Sequence, residues 1–114
     1  MNANDQLSEH NCTENYYQHN FGMKFTDGVK ALCDQFECYW FLDIVVSYQP
    51  ELELAEEDFQ VWKLKKNDDG SAVVTCTNGN DKVLKQQRIS FTDFKADEAT
   101  VWVEADVILL PSEH

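Results

Sequence analysis

Apolar side chains recur every three to four residues after Thr26, which is the pattern of an amphipathic helix. Thr26 stands at the expected N-cap position, and Asp27 follows where the helix dipole favours an anion. The apolar positions are Val29, Leu32, Cys33 and Phe36. The pattern therefore predicts a short helix that begins at Thr26 and buries one side.

A second helix is predicted over residues 38–49, where nearly every position is apolar. Pro50 ends it, since proline disfavours helical geometry in the residue before it. A helix that is apolar on all sides is typical of a central, buried element. Tyr39, Asp43 and Ser47 interrupt it at positions i, i+4 and i+8, so they are expected to form one narrow polar stripe.

Strand-like segments separated by turn signals follow the acidic connector 51–58. They cover residues 59–65, 72–77, 83–91 and 100–110, with turns at 67–70 and 78–81. Consecutive strands joined by short loops favour an antiparallel meander. The predicted fold is α+β, with an N-terminal helical pair packed on a four-stranded antiparallel meander sheet.

Alternation along the last two strands predicts which side chains face the helices. In the fourth strand these are Val101, Val103, Ala105, Val107 and Leu109. The opposite face would then carry Trp102, Glu104, Asp106, Ile108 and Leu110. In the third strand Val83, Ile89 and Phe91 share one parity, which leaves Arg88, Ser90 and Thr92 pointing outward.

Composition indicates one folded domain. The chain has 114 residues, of which 43% are hydrophobic and 12% aromatic, enough to build a core despite the high net charge. Residues 1–15 are polar and expected to be flexible, and residues 16–114 are expected to form a single α+β domain. No stretch approaches the roughly 20 apolar residues of a membrane span, and no apolar signal-peptide centre is present. A cytoplasmic protein without membrane contact is therefore expected.

Negative charge is concentrated in the first half of the chain. The net charge is −12, and before Phe59 twelve acidic residues face two basic ones, Lys24 and Lys30. An acidic face repels nucleic acid and attracts basic partners. The candidate partner-binding residues are Asp34, Glu37, Glu51, Glu53, Glu56, Glu57 and Asp58. The plainer interpretation of the cluster at 51–58 is a solvated connector; it lacks the ligand spacing and turn glycine of a calcium loop.

No motif in the sequence specifies a reaction, a cofactor or a metal. Cys12, Cys33, Cys38 and Cys76 lack the paired short spacings of a zinc site and are expected to be reduced and mostly buried. The glycines are isolated and form no phosphate-binding loop. Asp43 is the first catalytic candidate to consider, because burial in an apolar helix can raise a carboxyl pKa. No histidine is expected in a structured segment beside it, so a structural role is favoured, with no catalytic residue assigned.

Several motifs together resemble a small, uncharacterised family of bacterial proteins often carried by phages, plasmids and other mobile elements. The motifs are FTDGVK at 25–30, YW at 39–40 with Asp43 and SYQ at 47–49, FQVWKL at 59–64, FTDF at 91–94 and LLPSE at 109–113. The resemblance assigns no residue a role. Mobile-element context combined with small size and acidity is similar to the profile of counter-defence proteins such as anti-CRISPR inhibitors, an inference by analogy.

The leading hypothesis is a non-enzymatic acidic binding protein that blocks a basic nucleic-acid-binding surface of a defence protein. Its partner would be a basic nucleic-acid-handling protein, with no direct nucleic-acid contact. One alternative is a homo-oligomeric structural protein that buries an edge strand or the face carrying Trp102, Ile108 and Leu110. A small carboxylate-dependent hydrolase using Asp43 is the less favoured alternative.

Overall fold

The computed structural model describes residues 2–7, 15–19, 22–51, 54, 57–80 and 82–114. Within these residues the elements are α1 (Ala3–Gln6), β1 (Tyr16–Gln18), β2 (Lys24–Thr26), α2 (Asp27–Phe36), α3 (Tyr39–Tyr48), β3 (Phe59–Lys66), β4 (Ala72–Thr77), β5 (Val83–Ile89), β6 (Glu98–Glu104), β7 (Val107–Leu109) and a final 3-10 turn (Pro111–Glu113). The strands form one sheet in the order β1-β2-β7-β6-β3-β4-β5.

The α+β class is observed, but the predicted four-stranded antiparallel meander is wrong. The described residues form a seven-stranded mixed sheet with three helices, in which β2 and β7 run parallel. The strand β6 pairs with β3 rather than with β5, so the chain crosses the sheet after β5. The strands β1, β2 and β7 have three residues each, too few for alternation to reveal them.

The helix α2 begins as predicted. The Thr26 hydroxyl accepts a hydrogen bond from the Val29 N–H at 3.3 Å and donates one to Glu113 Oε1 at 2.6 Å. Glu113 Oε2 also accepts the Gly28 N–H at 3.2 Å, so a carboxylate from the chain's end lies at the positive end of this helix. A Cβ on Gly28 would lie 2.5 Å from Glu113 Oε1, so a larger residue at this position would displace the Glu113 carboxylate.

The helix α3 is buried on one side rather than on all sides. Its buried residues are Phe41, Leu42, Val45 and Val46. Tyr39, Asp43 and Ser47 are exposed along the opposite side, which confirms the predicted polar stripe. The helix packs on the sheet through Tyr48, whose ring centroid lies 5.8 Å from that of Trp62. It is therefore a surface helix whose polar stripe faces solvent.

The face of the sheet below α3 carries the core side chains of the central strands. They are Gln60, Trp62 and Leu64 in β3, Ala72, Val74 and Cys76 in β4, and Ala99, Val101 and Val103 in β6. Lys63 and Lys65 alternate with these residues and are exposed on the other face. Alternation in β3 therefore separates a buried face from a charged face.

The predicted alternation fails at both ends of the later strands. In β5 a bulge opposite Cys76 and Thr77 shifts the register, so Leu84 is buried while Val83 is exposed. Phe91 is exposed and Thr92 buried, the reverse of the expected parity. The alternation predicted for 100–110 also fails, because the chain turns at Ala105.

The segment 100–110 is a hairpin, not one strand. Ala105 has φ 56° in the turn, and Ile108 lies opposite Val103 in the antiparallel register. Paired residues point to the same side of a sheet, so Ile108 is buried with Val103. Ile108 and Leu110 are fully buried, and the exposed face proposed for Trp102, Ile108 and Leu110 does not exist.

Residues 2–7, expected to belong to a flexible N-terminus, pack against β6. The Asn4 side chain accepts the Thr100 N–H at 2.6 Å and donates to the Thr100 carbonyl at 2.8 Å. One side-chain amide thus makes the two hydrogen bonds that a strand residue would make, while Ala3 and Leu7 are buried. The domain boundary proposed at residues 15 and 16 stays a prediction.

Candidate binding site

The structure separates the candidate acidic residues into two groups. Asp34 and Glu37 lie at the C-terminal end of α2, whereas Glu51 follows α3 and Glu57 and Asp58 precede β3. The ten-residue helix α3 lies between the groups and is about 15 Å long. Glu53 and Glu56 fall outside the described residues. Among the described candidates, Asp34 and Glu37 therefore lie near the start of α3 and Glu51 near its end.

Asp34, Glu37 and Glu51 each form an ion pair. The distances are 2.7 Å to Lys30, 3.1 Å to Lys95 and 2.7 Å to Lys85, respectively. Hydrogen bonds from Lys30 and Tyr39 hold the pKa of the Asp34 carboxyl below its usual value. Ion pairs at the surface contribute little stability, about 0 to 1 kcal/mol, so a partner's cations can replace these lysines.

Asp58 lies beside the turn that carries Glu104 and Asp106, two acidic residues that sequence analysis did not assign to the site. Phe59 pairs with Glu104, and the Ala105 N–H donates to the Asp58 carbonyl at 3.4 Å. Neighbouring strands are about 4.8 Å apart, so Asp58 faces the turn that carries Glu104 and Asp106. All three residues are exposed, and together we call them the acidic sheet end.

The side chains of Asp58 and Asp106 form no ion pair with another residue in the described ranges. Glu104 Oε2 lies 3.1 Å from His114 Nε2. Lys24 lies near Asp106 in the sheet, because it pairs with Val107 and donates its backbone N–H to the Asp106 carbonyl. The acidic sheet end thus keeps carboxylates that no lysine or arginine of the described chain neutralises.

An aromatic cluster adjoins Glu104. The ring centroids of Phe59 and Trp102 are 5.1 Å apart, as are those of Trp102 and His114, and both contacts are edge-on. Phe59 and Glu104 are paired in the register, so their side chains share one face of the sheet. Carboxylates beside aromatic rings form an environment suited to arginine, which combines charge with a stacking plane.

The sequence contained a partial signal for this site. Glu104 and Asp106 flank Ala105 between two apolar segments, which is a pattern typical of a turn. Treating 100–110 as one strand concealed that turn. The pairing of β3 with β6 also links distant parts of the chain, and no local pattern reveals it.

A histidine partner for Asp43 was also missed. His19 Nε2 lies 2.8 Å from Asp43 Oδ1, and the two side chains are 17% and 66% exposed. The His19 N–H donates to the Met23 carbonyl at 2.7 Å, so the residue is held near α3 rather than in a flexible tail. A carboxylate can orient an imidazole in this way, but catalysis further requires a nucleophile or a metal. The described residues contain no group of three metal-ligating side chains.

Three cysteines have the buried environment expected from the sequence. Cys33, Cys38 and Cys76 are buried and free. A hydrogen bond with Cys38, together with burial, raises the pKa of the Cys33 thiol, and burial raises the pKa of Cys76 to about 12. These environments favour the protonated thiol over the thiolate that nucleophilic catalysis needs.

The chain belongs to a family of unknown function, DUF6876, whose model matches residues 1–114. No curated protein matches the chain. A search of solved structures likewise gives no match. None of the helices in the described ranges is long and apolar enough to cross a membrane.

Proposed function

We propose that this protein is a non-enzymatic acidic binding protein that occupies a basic nucleic-acid-binding surface of another protein. The observation that carries the proposal is the acidic sheet end, where Asp58, Glu104 and Asp106 are exposed on adjacent backbone positions. Clustered carboxylates present negative charge to a surface that otherwise binds phosphates. The net charge of −12 strengthens the attraction to a basic partner at low salt.

The surroundings of Glu104 favour arginine as the group recognised. A guanidinium ion forms bidentate hydrogen bonds with carboxylates and stacks on aromatic rings. Phe59 and Trp102 supply half-buried rings beside Glu104. We therefore propose a partner whose nucleic-acid site contains accessible arginines, with the acidic sheet end at the centre of the contact.

The biological setting of this proposal is counter-defence. The motif resemblance is to proteins carried by phages, plasmids and other mobile elements, whose hosts defend themselves with nucleic-acid-handling proteins. A small acidic domain suits an inhibitor of the anti-CRISPR type, because such a domain competes with the nucleic acid for one surface of the partner. The charge pattern and the resemblance support this setting.

The test is capture of a partner with matched charge variants. The protein is immobilised and exposed at about 150 mM salt to lysate from a bacterium with nucleic-acid-based defences, with and without excess DNA. The test variant carries Asp58→Lys and Asp106→Lys, and the control carries Asp5→Lys and Asp68→Lys. All four positions are exposed, and both variants change the net charge by the same amount.

We expect capture of a basic, nucleic-acid-binding protein that DNA displaces. The Asp58 and Asp106 variant should lose this capture, while the control should keep most of it. Equal loss in both variants would show that only overall charge matters. Undiminished capture by the test variant, or capture that DNA does not displace, would contradict the proposed site.

A further inference from the structure

The strand β5 leaves one backbone edge of the sheet unpaired. It spans Val83–Ile89 and pairs with β4 but with no other strand of the described chain. The opposite edge strand, β1, has only three residues. An unpaired edge presents a row of N–H and carbonyl groups that another strand can bind. Of the two edges, β5 is therefore the one long enough to hold an extended segment.

The helix α3 runs along this edge on the helical face of the sheet. Near its start, Trp40 and Ile44 line an open groove together with Ile89 of β5. Near its end, the Tyr48 hydroxyl donates a hydrogen bond to Gln87 Oε1 at 3.0 Å. The helix and the strand therefore lie side by side and run in opposite directions, with the groove between them.

The wall of this groove is apolar. Trp40, Ile44 and Tyr48 recur at positions i, i+4 and i+8 of α3, so they share one side of the helix, and all three are half-buried. Ile89 is half-buried below them, and Phe91, which also lines the groove, is 75% exposed. The groove thus combines an apolar wall with an unpaired backbone edge.

We propose that the groove between α3 and β5 binds an extended segment of a partner protein, which joins the sheet as a strand beside β5. In strand addition, main-chain hydrogen bonds supply affinity and pockets for alternate side chains supply specificity. We place the segment antiparallel to β5, because antiparallel pairing is slightly more stable per residue than parallel pairing. An apolar side chain of the segment, opposite Ile89, then enters the groove.

The outer side of the edge specifies a charge in the same segment. Arg88 pairs with Val73, which pairs with Lys65 on the outer face, so Arg88 also points to that face. Arg88 is exposed and forms no ion pair within the described residues. Opposite charges in directly paired residues stabilise a sheet. The segment therefore carries aspartate or glutamate opposite Arg88, next to its apolar anchor.

A second copy of this chain does not meet these requirements. The strand β5 contains two cations, Lys85 and Arg88, and no carboxylate. A second β5 would thus bring further positive charge to Arg88. Val83 pairs with Thr77, which places it on the outer face and away from the groove. The occupant favoured by the geometry is a segment of different sequence.

This inference does not depend on the proposed function. One strand, β4, separates β5 from β3, so the edge lies about 10 Å from the strand that follows Asp58. A segment bound along β5 leaves the acidic sheet end uncovered. The two surfaces can be tested with separate variants.

Fluorescence anisotropy of a labelled peptide measures the binding. The probe is acetylated and amidated Thr-Lys-Leu-Glu-Val-Thr-Thr, with its leucine opposite Ile89 and its glutamate opposite Arg88. We expect a dissociation constant of about 10 to 100 μM. Phe91→Asp should raise it on the order of 10-fold. Val83→Asp is the control and should stay within about twofold of the wild type, because Val83 is also exposed but does not line the groove.

Backbone methylation of the probe tests strand addition separately from the apolar contact. In an antiparallel pair, only alternate residues of a strand direct their N–H groups toward one neighbour. One modified probe is methylated at the nitrogens of its leucine and valine, and a second at those of its glutamate and the threonine after valine. One of the two should lose binding, and the other should bind within about threefold of the parent probe. Two modified probes that behave alike would overturn strand addition.

A charge exchange tests the register. Arg88→Glu should weaken binding of the parent probe about fivefold, because it places two carboxylates opposite each other. A probe with arginine in place of its glutamate should bind the Arg88→Glu variant better than the wild type. A variant that shows no such preference would contradict the placement opposite Arg88.

Two further results would overturn the proposal. One is a wild type that does not bind the probe at about 1 mM protein. The other is a Phe91→Asp variant that binds as well as the wild type. Sedimentation equilibrium without the probe tests a different occupant: a dimer of the 13.2 kDa chain that Phe91→Asp dissociates would assign the groove to a second copy and reject the partner segment.

Discussion

Gln60→Leu should destabilise the fold although leucine is apolar and similar in size. Gln60 is 2% exposed, and its Oε1 accepts the Trp62 indole N–H at 2.8 Å and the Gln49 amide at 2.9 Å. Its Nε2 donates to Gln49 Oε1 at 3.0 Å and to the Leu54 carbonyl at 3.4 Å. Leucine can replace none of these hydrogen bonds.

The cost follows from the groups left without a partner. The Trp62 residue is 1% exposed, so its indole N–H cannot reach water, and a buried unsatisfied donor costs about 1 to 3 kcal/mol. Gln49 is half-buried and can turn toward solvent, which limits its loss. Loss of the bond to the Leu54 carbonyl adds a smaller amount. We expect a total of about 3 kcal/mol, against a typical domain stability of 5 to 15 kcal/mol.

Urea unfolding followed by far-ultraviolet circular dichroism measures this change. A lower midpoint with an unchanged slope would report lost stability rather than a changed denatured state. Gln18→Leu is the control because Gln18 is exposed in β1, and it should stay within about 0.5 kcal/mol of the wild type. A Gln60→Leu protein as stable as this control would refute the argument. The network also ties the Leu54 carbonyl to β3, close to the segment that carries Asp58.

Two smaller predictions follow from local geometry. Ala105→Gly should stabilise the protein by about 0.5 to 1 kcal/mol. Ala105 is exposed and has φ 56°, a conformation that glycine adopts without steric cost. A lower urea midpoint for the variant would contradict this prediction. Tyr39→Phe should raise the pKa of Asp34 toward its usual value. The hydrogen bond from Lys30 lowers this pKa most, and the hydrogen bond from the Tyr39 hydroxyl is the second-largest cause. A folded-state pKa below the unfolded one adds stability above the unfolded pKa, and that stability is lost as pH falls through the folded value. The Tyr39→Phe variant should therefore lose stability at neutral pH but not below the folded-state pKa of Asp34. An NMR titration of the Asp34 carboxyl carbon that finds the same pKa in both proteins would contradict the assigned hydrogen bond.

Local sequence patterns were sufficient to predict a helix or strand where the residues of that element alone specify it. Thr26 with the apolar spacing after it predicted the start of α2, and Pro50 predicted the end of α3 to within two residues. The strand β4 has the predicted bounds because alternation is regular between two polar turns. The polar stripe on α3 follows from the helical period alone.

Pairing between distant segments required the tertiary structure. Nothing near 98–104 indicates that it lies beside β3 instead of β5, since backbone hydrogen bonds join strands without regard to side-chain identity. The three-residue strands exist because neighbouring strands supply their partners. The contact between His19 and Asp43 also required the tertiary structure, because it forms only after the chain has folded.

The sequence by itself determined the α+β class, the two main helices, the excess of negative charge and the family resemblance. These properties depend on residue identity and on spacing within a few turns or strands. The tertiary structure decided the sheet order, the register of β5 and the grouping of Asp58 with Glu104 and Asp106. Such features depend on which segments meet when the core is buried, and that choice minimises the free energy of the whole chain rather than of any one segment.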